Sequence, residues 1–299
     1  MAAGKGRVGF VGLGIMGTAL SANLAKAGFE VFGYDIDATR MEALTGNGGH
    51  GAASAGDVAQ RCDLVITSLP SPDALRATVS GPGGLLSAKH KGLILSECST
   101  LALADKEEAR AALASGGMTM LDSPLSGTGS QAARKDILVY SSGERAAYDA
   151  FVPVYREVSR ASHYLGAFGN GSRMKYIANL LVAIHNVAAA EAIVLAQRAG
   201  LDPAEAHRVI SDGGGTSKMF EVRGGLMAEG RYLPAQMKID MFMKDLDIIG
   251  NFAAALHCPT PLFSASVQVH TAALAQGHAK DDTAAVHAVL EQLAGGRGK

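Results

Sequence analysis

Hydrophobic and polar residues follow two different patterns along the chain. In the first half, apolar runs of strand length alternate with helical stretches, and these runs cover residues 8–11, 30–34, 63–69, 92–96, 118–121 and 137–141. After Leu165 helical periodicity dominates, over residues 203–211, 218–227, 234–256, 261–276 and 281–293. Gly224-Gly225 predicts a helix break within this half. The alternation predicts an α/β domain with a doubly wound parallel sheet over residues 1–166, followed by an all-α domain over residues 167–299.

The longest helical pattern joins the two predicted domains, over residues 169–197, and Gly200 stands where a helix stops. Gly171, Lys175 and Asn179 are four residues apart, so they lie on one face of this interdomain helix. Apolar residues surround them: Met174, Ile177, Leu180, Leu181 and Ile184. A lysine in so much hydrocarbon costs free energy unless it has a partner or a task. Two interpretations stay open: a lysine that extends past the helix end to reach water, or a functional residue.

A glycine-rich turn follows the first apolar run. Gly12, Gly14 and Gly17 form a GxGxxG string between a predicted strand and a helical stretch. In that context the first glycine permits a tight turn, the second lets the backbone approach a pyrophosphate, and the third lets the helix pack on the strand. The helix N-terminus presents N–H groups and a positive dipole end to the phosphates. This arrangement is typical of a Rossmann domain that binds a dinucleotide.

A carboxylate ends the second predicted strand. Asp35 follows residues 30–34, close to the separation of about 20 residues expected for the group that holds a ribose diol. An acidic side chain there accepts two hydroxyls and repels a 2′-phosphate, so it favours NAD over NADP, and Arg40 just downstream softens that preference. The alternative is a glycine-rich turn followed by an ordinary surface aspartate.

Three loops follow later predicted strands, and they begin at Pro70, Glu97 and Asp122. In open α/β sheets ligands bind at the carboxyl ends of the strands, so we expect these loops to line the cofactor and substrate crevice. The third loop contains Ser126-Gly-Thr-Gly-Ser130, which offers backbone N–H groups and hydroxyls to a carboxylate. A flexible turn is the alternative for this stretch.

Composition and charge exclude several classes of function. Hydrophobic residues make up 48% of the chain and the formal net charge is −1, so we expect a globular protein without attraction to nucleic acid or anionic lipid. Cysteines number 3 and form no CxxC pair, which predicts reduced thiols in the cytoplasm and no metal site. We expect no signal peptide, because the first apolar run, residues 8–11, is only as long as a strand. We expect no membrane span, because His185, Asn186 and Glu191 interrupt the most apolar segment.

Four separated motifs resemble those of the β-hydroxyacid dehydrogenases, the group of 3-hydroxyisobutyrate, tartronate-semialdehyde and L-threonate enzymes. They are residues 9–17, residues 122–127, the Gly171-xxx-Lys175-xxx-Asn179 string and Lys244-Asp245-Leu246. The resemblance implies that the cofactor contacts Gly12, Gly14, Ile15, Met16, Gly17, Asp35, Leu69, Pro70, Thr100 and Lys244. It implies a substrate site made by Ser126, Gly127, Thr128, Lys175 and Asn179. Thr128 stands where the family commonly has a second glycine.

The resemblance further implies reversible hydride transfer between NAD and a small hydroxy acid or semialdehyde, with Lys175 as general acid/base and Asn179 assisting. A lysine accepts a proton near neutral pH only where burial and a nearby positive charge lower its pKa. Residues 217–223, 232–234 and 280–282 resemble the L-threonate branch, which indicates a short sugar acid.

The alternatives within enzymes are a 2-hydroxy-3-oxopropionate (tartronate semialdehyde) reductase and an imine reductase, although imine reductases typically carry a different residue where Lys175 stands. The alternative outside the enzymes is a non-catalytic dinucleotide-binding protein. The apolar helices of the second half predict a homodimer or homotetramer.

Overall fold

The structure is a computed structural model that describes residues 5–296. It forms two compact units, one that ends at Lys175 and one that begins at Tyr176. The division falls inside the long helix that was predicted between the domains, which spans Asn170–Arg198. The boundary after residue 166 stays a prediction.

A parallel sheet of 6 strands forms the centre of the first unit, in the order β3-β2-β1-β4-β5-β6. The strands are β1 Arg7–Val11, β2 Glu30–Tyr34, β3 His50–Gly51, β4 Leu64–Thr67, β5 Ile94–Glu97 and β6 Thr119–Asp122. The order runs outward from β1 in one direction and outward from β4 in the other. Ligands of such sheets bind at this switch point, beyond the carboxyl ends of the strands. The predicted doubly wound α/β fold is confirmed.

A small second sheet and seven helices complete the first unit up to the long helix. The sheet joins β7 Leu125–Ser126, β8 Leu138–Ser141 and β9 Ala161–Tyr164 in the order β7-β8-β9. The helices are α1 Ile15–Lys26, α2 Ala38–Gly46, α3 Ala55–Arg61, α4 Pro72–Ser80, α5 Leu103–Ser115, α6 Gly129–Ala133 and α7 Arg145–Val158. The apolar pattern predicted β8 but not β7 or α6, because elements of two and five residues are too short to show a periodicity.

Both faces of the main sheet are buried, which is why its strands read as nearly continuous apolar runs. On β1, Val8 and Phe10 face one core cluster, and Val11 faces the cluster on the opposite side. Each such side chain contributes about 1.5–3 kcal/mol when it is removed from water. The site at the strand ends therefore lies on a rigid, doubly covered sheet.

The second unit contains helices and no strand among its described residues. It comprises the larger part of α8 Asn170–Arg198, then α9 Pro203–Ser211, α10 Lys218–Glu229, α11 Ile239–Ala255, α12 Pro261–Ala275 and α13 Val286–Leu293. The all-α prediction for this half is confirmed.

Some details of the second unit differ from the prediction, and α13 begins at Val286 rather than at residue 281. Helix α11 begins at Ile239 rather than at residue 234, because the Asp282 carboxylate accepts the N–H groups of Gln236 and Met237 and holds that segment outside the helix. Gly224-Gly225 does not break α10. A Cβ on Gly224 would collide with the ring of His207, so this glycine lets α10 pack closely on α9.

Candidate active site

The glycine turn between β1 and α1 has the shape that a dinucleotide requires. Gly12 has φ +89°, and a Cβ there would collide with the carbonyl oxygen of Ser68. A Cβ on Gly17 would collide with the carbonyl oxygen of Gly12, so the helix approaches the turn closely. At Gly14 the nearest atom to an added Cβ is Nη1 of Arg40, at 3.9 Å, so the surface there is open. These residues fit a pyrophosphate at the N-terminus of α1.

The two residues between the last glycines occupy different environments. Ile15 begins α1 and is 64% exposed, and its side chain lies against the backbone of Gly129 on α6. Met16 is partly buried and packs against the core cluster that contains Val8 and Phe10. Ile15 is therefore the side chain that lies open at the mouth of the turn.

Asp35 lies directly after β2 and fixes the glycine turn. Its Oδ2 accepts the N–H of Leu13 at 2.6 Å, and its Oδ1 accepts the N–H of Asp37 at 2.9 Å. The Arg40 guanidinium lies 3.3 Å from Oδ2 and is half exposed, whereas the Asp35 side chain is only 5% exposed. The sequence predicted a ribose contact here, and the structure adds that the same carboxylate holds the turn.

Three of the predicted cofactor contacts, Leu69, Pro70 and Thr100, lie in the loops after β4 and β5, which are neighbouring strands. The N–H of Leu69 donates to Oγ of Ser99 at 2.7 Å, so the two loops are tied to each other. Pro70 precedes the cap of α4, and Thr100 is partly buried at the end of the β5 loop. Leu69, Pro70 and Thr100 therefore belong to one connected edge of the sheet.

The predicted carboxylate loop is more structured than a glycine turn. Ser126 ends β7, and Gly127 has φ +142°, where a Cβ would lie 2.5 Å from Cγ2 of Ile137. Thr128 is the N-cap of α6 and forms a capping box with Gln131, whose Oε1 accepts the Thr128 N–H at 2.9 Å. The N–H of Thr128 is thus already used within the protein, and the role of Ser126, Gly127 and Thr128 at the substrate stays a prediction.

Lys175 and Asn179 lie one turn apart on α8, and both are buried, with 8% and 5% exposure. Lys175 therefore does not extend into water, which removes the interpretation of a lysine that reaches past the helix end. In the second unit, Nδ2 of Asn179 donates to Oδ2 of Asp245 at 3.0 Å, and Nζ of Lys244 lies 3.2 Å from Oδ1 of the same carboxylate. Asp245 thus orients Asn179, a role that the sequence pattern did not assign.

The sequence-predicted residues divide between the two units. The first unit holds Gly12, Gly14, Ile15, Met16, Gly17, Asp35, Leu69, Pro70, Thr100, Ser126, Gly127, Thr128 and Lys175, and the second holds Asn179 and Lys244. Those of the first unit lie at the β1–α1 turn, at the ends of β2, β4 and β5, in the loop after β7, and at the start of α8.

Sequence reasoning missed a buried charged group at the ends of β5 and β6. Glu97 and Asp122 face each other across these strands, and Lys106 of α5 lies between their carboxylates. Burial alone disfavours the charged lysine, but the two carboxylates more than offset it and raise the pKa of Lys106 above its ordinary value. The available signal was the position of Lys106 on the buried stripe of α5, with Ala109 and Leu113.

Two of the three cysteines, Cys62 and Cys98, are buried. Burial raises the pKa of the Cys62 and Cys98 thiols to about 12, so neither is a ready nucleophile. Among residues 5–296 there is no group of three or more His, Cys, Asp or Glu side chains able to hold a metal ion.

Comparison with known proteins agrees with this geometry. Residues 7–166 match the family described as the NAD binding domain of 6-phosphogluconate dehydrogenase. Residues 169–290 match the family described as the NAD-binding domain of NADP-dependent 3-hydroxyisobutyrate dehydrogenase. The fold, the glycine turn and these matches define an NAD(P)-dependent dehydrogenase, whose cofactor is a nicotinamide dinucleotide.

Individual relatives cover nearly the whole chain. L-Threonate dehydrogenase of Escherichia coli (strain K12) is 34% identical over 281 residues, which is 93% of each protein. The crystal structure of 3-hydroxyisobutyrate dehydrogenase from Salmonella typhimurium is 33% identical, with a TM-score of 0.86 over 95% of this chain and 99% of that one. The Mycobacterium tuberculosis 3-hydroxyisobutyrate dehydrogenase with L-serine is 28% identical, with a TM-score of 0.84 over 95% and 98%. The chain belongs to the β-hydroxyacid dehydrogenase family, and it is an enzyme that acts on a small hydroxy acid.

Proposed function

We propose that this enzyme interconverts a short polyhydroxy acid of the L-threonate type and its carbonyl counterpart, with NAD as cofactor and Lys175 as general acid/base. The observation that carries the proposal is a lysine with 8% exposure in the first turns of a helix that starts beside the ends of β6 and β8. The similarity to L-threonate dehydrogenases over 93% of the chain supports this substrate class.

The proposed chemistry needs one proton to move. When bound, the nicotinamide supplies or accepts the hydride. In the oxidative direction Lys175 takes the proton of the substrate hydroxyl; in the reductive direction its ammonium polarises the carbonyl oxygen and returns the proton. Asn179, held by Asp245, assists with its side-chain amide. Ser126 and Gly127 hold the substrate carboxylate in this proposal.

Lys175→Ala tests the assignment. The variant loses the proton carrier, so we expect kcat to fall by about 10²- to 10⁴-fold, the usual contribution of general acid/base catalysis. Binding of NADH, followed by fluorescence, should stay close to wild type. A variant with normal turnover would contradict the role of Lys175.

The choice of NAD over NADP rests on Asp35. Its buried carboxylate would repel a 2′-phosphate at the ribose that it is proposed to bind. Arg40 is the group that opposes this preference, because its half-exposed guanidinium lies beside Asp35. Initial rates with NAD⁺ and NADP⁺ measure the outcome, and equal kcat/KM for both would refute the preference.

The substrate is tested with a panel of hydroxy acids: L-threonate, D-glycerate, 3-hydroxyisobutyrate, L-serine and 3-hydroxypropionate. We expect the highest kcat/KM with L-threonate. Preferred reduction of 2-hydroxy-3-oxopropionate would indicate the tartronate-semialdehyde reductase instead, and turnover of a cyclic imine alone would indicate an imine reductase. NADH binding without turnover of any of these would favour a non-catalytic dinucleotide-binding protein.

We further propose a cytoplasmic homodimer or homotetramer. By length and composition α8 also qualifies as a candidate membrane span, with mean hydropathy 1.7 and 44% of that window buried. The apolar side chains Ile177, Leu181 and Leu195 of α8 are 54%, 47% and 70% exposed, and a second copy of the chain would remove them from water. Light scattering of detergent-free protein decides: a monodisperse dimer or tetramer supports the proposal, and a monomer or detergent-dependent protein opposes it.

A further inference from the structure

Three charged side chains are buried together beside the start of α8. Nζ of Lys106 donates to Oδ1 of Asp122 at 2.8 Å and lies 2.7 Å from Oε2 of Glu97, and all three side chains have 0% exposure. The group thus places two acidic side chains around one lysine inside the first unit. A negative charge at this place is favoured by the positive end of the α8 dipole.

Asp122 caps α8 from outside the helix. Its Oδ2 accepts the backbone N–H of Ser172 at 2.7 Å, and its Oδ1 accepts the Ser172 hydroxyl at 2.7 Å. The N–H of Gly171 donates to Oγ of Ser142 at 2.9 Å. The first-turn N–H groups of a helix need partners, and here the ends of β6 and β8 supply them. The start of α8 is therefore attached to the sheet.

Glu97 connects Lys106 to the loops after β4 and β5, which hold predicted cofactor contacts. Its Oε1 accepts the N–H of Ser99 at 2.9 Å, and Oγ of Ser99 accepts the N–H of Leu69 at 2.7 Å. Through Lys106, one chain of buried polar contacts runs from the β4 loop to the cap of α8.

We propose that Glu97, Lys106 and Asp122 are positioning residues that hold Lys175 at a fixed place relative to the loops after β4 and β5. The inference rests on the proposed role of Lys175. Lys175 follows Ser172 by three residues, so the cap sets the position of its Cα within the first turns of the helix. A displacement of about 1 Å at a reacting group can cost about 100-fold in rate. A buried ion pair is weak evidence for stability by itself, and a positioning role accounts for this one.

The full-length enzyme with Asp122→Asn tests the proposal. Asparagine keeps the size of the side chain, but it loses the charge that pairs with Lys106 and one acceptor oxygen of the cap. We expect kcat to fall by about 10- to 100-fold. The dissociation constant of NADH should change by less than about threefold, since the side chain of Asp122 bonds Lys106 and Ser172, whereas the hydrogen bond to Leu69 is made by Ser99.

Two further variants separate positioning from folding. Ser172→Ala removes only the 2.7 Å hydroxyl contact to Asp122 and keeps the backbone cap, so we expect a smaller fall in kcat, about three- to tenfold. Tyr155→Phe is the matched control: its buried hydroxyl bonds Ser96 and Ser123, which adjoin Glu97 and Asp122, but not α8. It should lower the Tm and leave kcat unchanged.

All rates are measured well below the Tm of each variant, so that every protein is folded. Wild-type kcat in both Asp122→Asn and Ser172→Ala, with only a lower Tm, would overturn the proposal. Failure of the positioning role can be distinguished from failure of the proposed function, because Lys175→Ala tests the proposed function separately. If Lys175→Ala is inactive while Asp122→Asn keeps full kcat, only the positioning role is refuted. If Lys175→Ala turns over normally, the role of Lys175 and the positioning role both fail.

Discussion

Gly171 offers the sharpest test of how closely α8 approaches the sheet. A Cβ at this position would collide with the carbonyl oxygen of Tyr140 and would lie 2.5 Å from the carbonyl oxygen of Asp122. Both obstacles are backbone atoms of strands, so no side-chain rotation relieves the clash. In Gly171→Ala the start of α8 has to move by about 1 Å to restore ordinary contacts of 3.4 Å with both oxygens.

This displacement has two measurable consequences. We expect a loss of about 1–3 kcal/mol in the free energy of unfolding, the usual cost of overpacking. We also expect a fall of about 100-fold in kcat, because Lys175 moves with the helix. Urea unfolding followed by circular dichroism measures the first, and initial rates with the preferred hydroxy acid measure the second.

Gly46→Ala is the matched control. Gly46 is the last residue of α2, and a Cβ there has no atom within 4 Å. It should therefore be neutral or stabilise by about 0.4–1 kcal/mol, by reducing the freedom of the unfolded chain. If Gly171→Ala behaved like Gly46→Ala in both assays, the close approach of α8 to the strands would be wrong.

Three further predictions concern cofactor choice, stability and pH. Asp35→Asn keeps an acceptor for the glycine turn but removes the charge, so the ratio of kcat/KM for NADP⁺ to that for NAD⁺ should rise by about 10-fold or more; an unchanged ratio in initial-rate assays would argue against a ribose contact. Lys106→Met leaves two buried carboxylates side by side and should cost about 3–5 kcal/mol in urea unfolding, whereas a loss below about 1 kcal/mol would contradict the ion pairing. His270 is buried and its pKa is lowered from 6.5 to about 4 by burial, so the unfolded chain takes up a proton first as the pH falls. The free energy of unfolding is therefore unaffected by His270 above pH 6.5 and falls by about 3 kcal/mol toward pH 4 because of it. His270→Leu should flatten this part of the curve of unfolding free energy against pH, and an unaltered slope would refute the prediction.

The fold was predictable because its signals are periodic. Strand-length apolar runs and the GxGxxG string identified β1, β2 and the turn between them, and the apolar pattern of 169–197 identified α8. The same reasoning failed at Gly224, where the missing side chain serves helix packing rather than a break. A glycine that ends a helix and a glycine that allows close helix packing look the same in the sequence. Only the position of His207 distinguishes the two cases here.

Contacts between distant residues were the part of the candidate site that the sequence did not reveal. Asp245 bonds Asn179 across 66 positions of the chain, and Asp122 bonds Ser172 across 50. The contact between Thr128 and Gln131 is local, but the sequence analysis did not predict it either. In this capping box the N–H of Thr128 donates to Gln131. Motifs predict which residues are reactive, whereas the partners of those residues depend on which strand ends and helix ends the fold brings together.

The carboxylates at the strand ends share one physical role. Asp35 after β2 and Asp122 at the end of β6 each accept a backbone N–H from a distant segment, those of Leu13 and Ser172, and Glu97 at the end of β5 accepts the N–H of Ser99 in the loop that follows it. Loops in such a sheet carry the ligand, and they have few ladder hydrogen bonds to hold them. An acidic side chain at the end of a strand can hold such a loop by accepting one of its N–H groups. A hydrogen bond to a charged acceptor is stronger than one between neutral groups. Acidic residues at these ends therefore shape the candidate site even where they do not touch the substrate. Substitutions at the ends of β5 and β6 are expected to alter turnover more than cofactor affinity. Substitution after β2 is expected to alter the choice of cofactor.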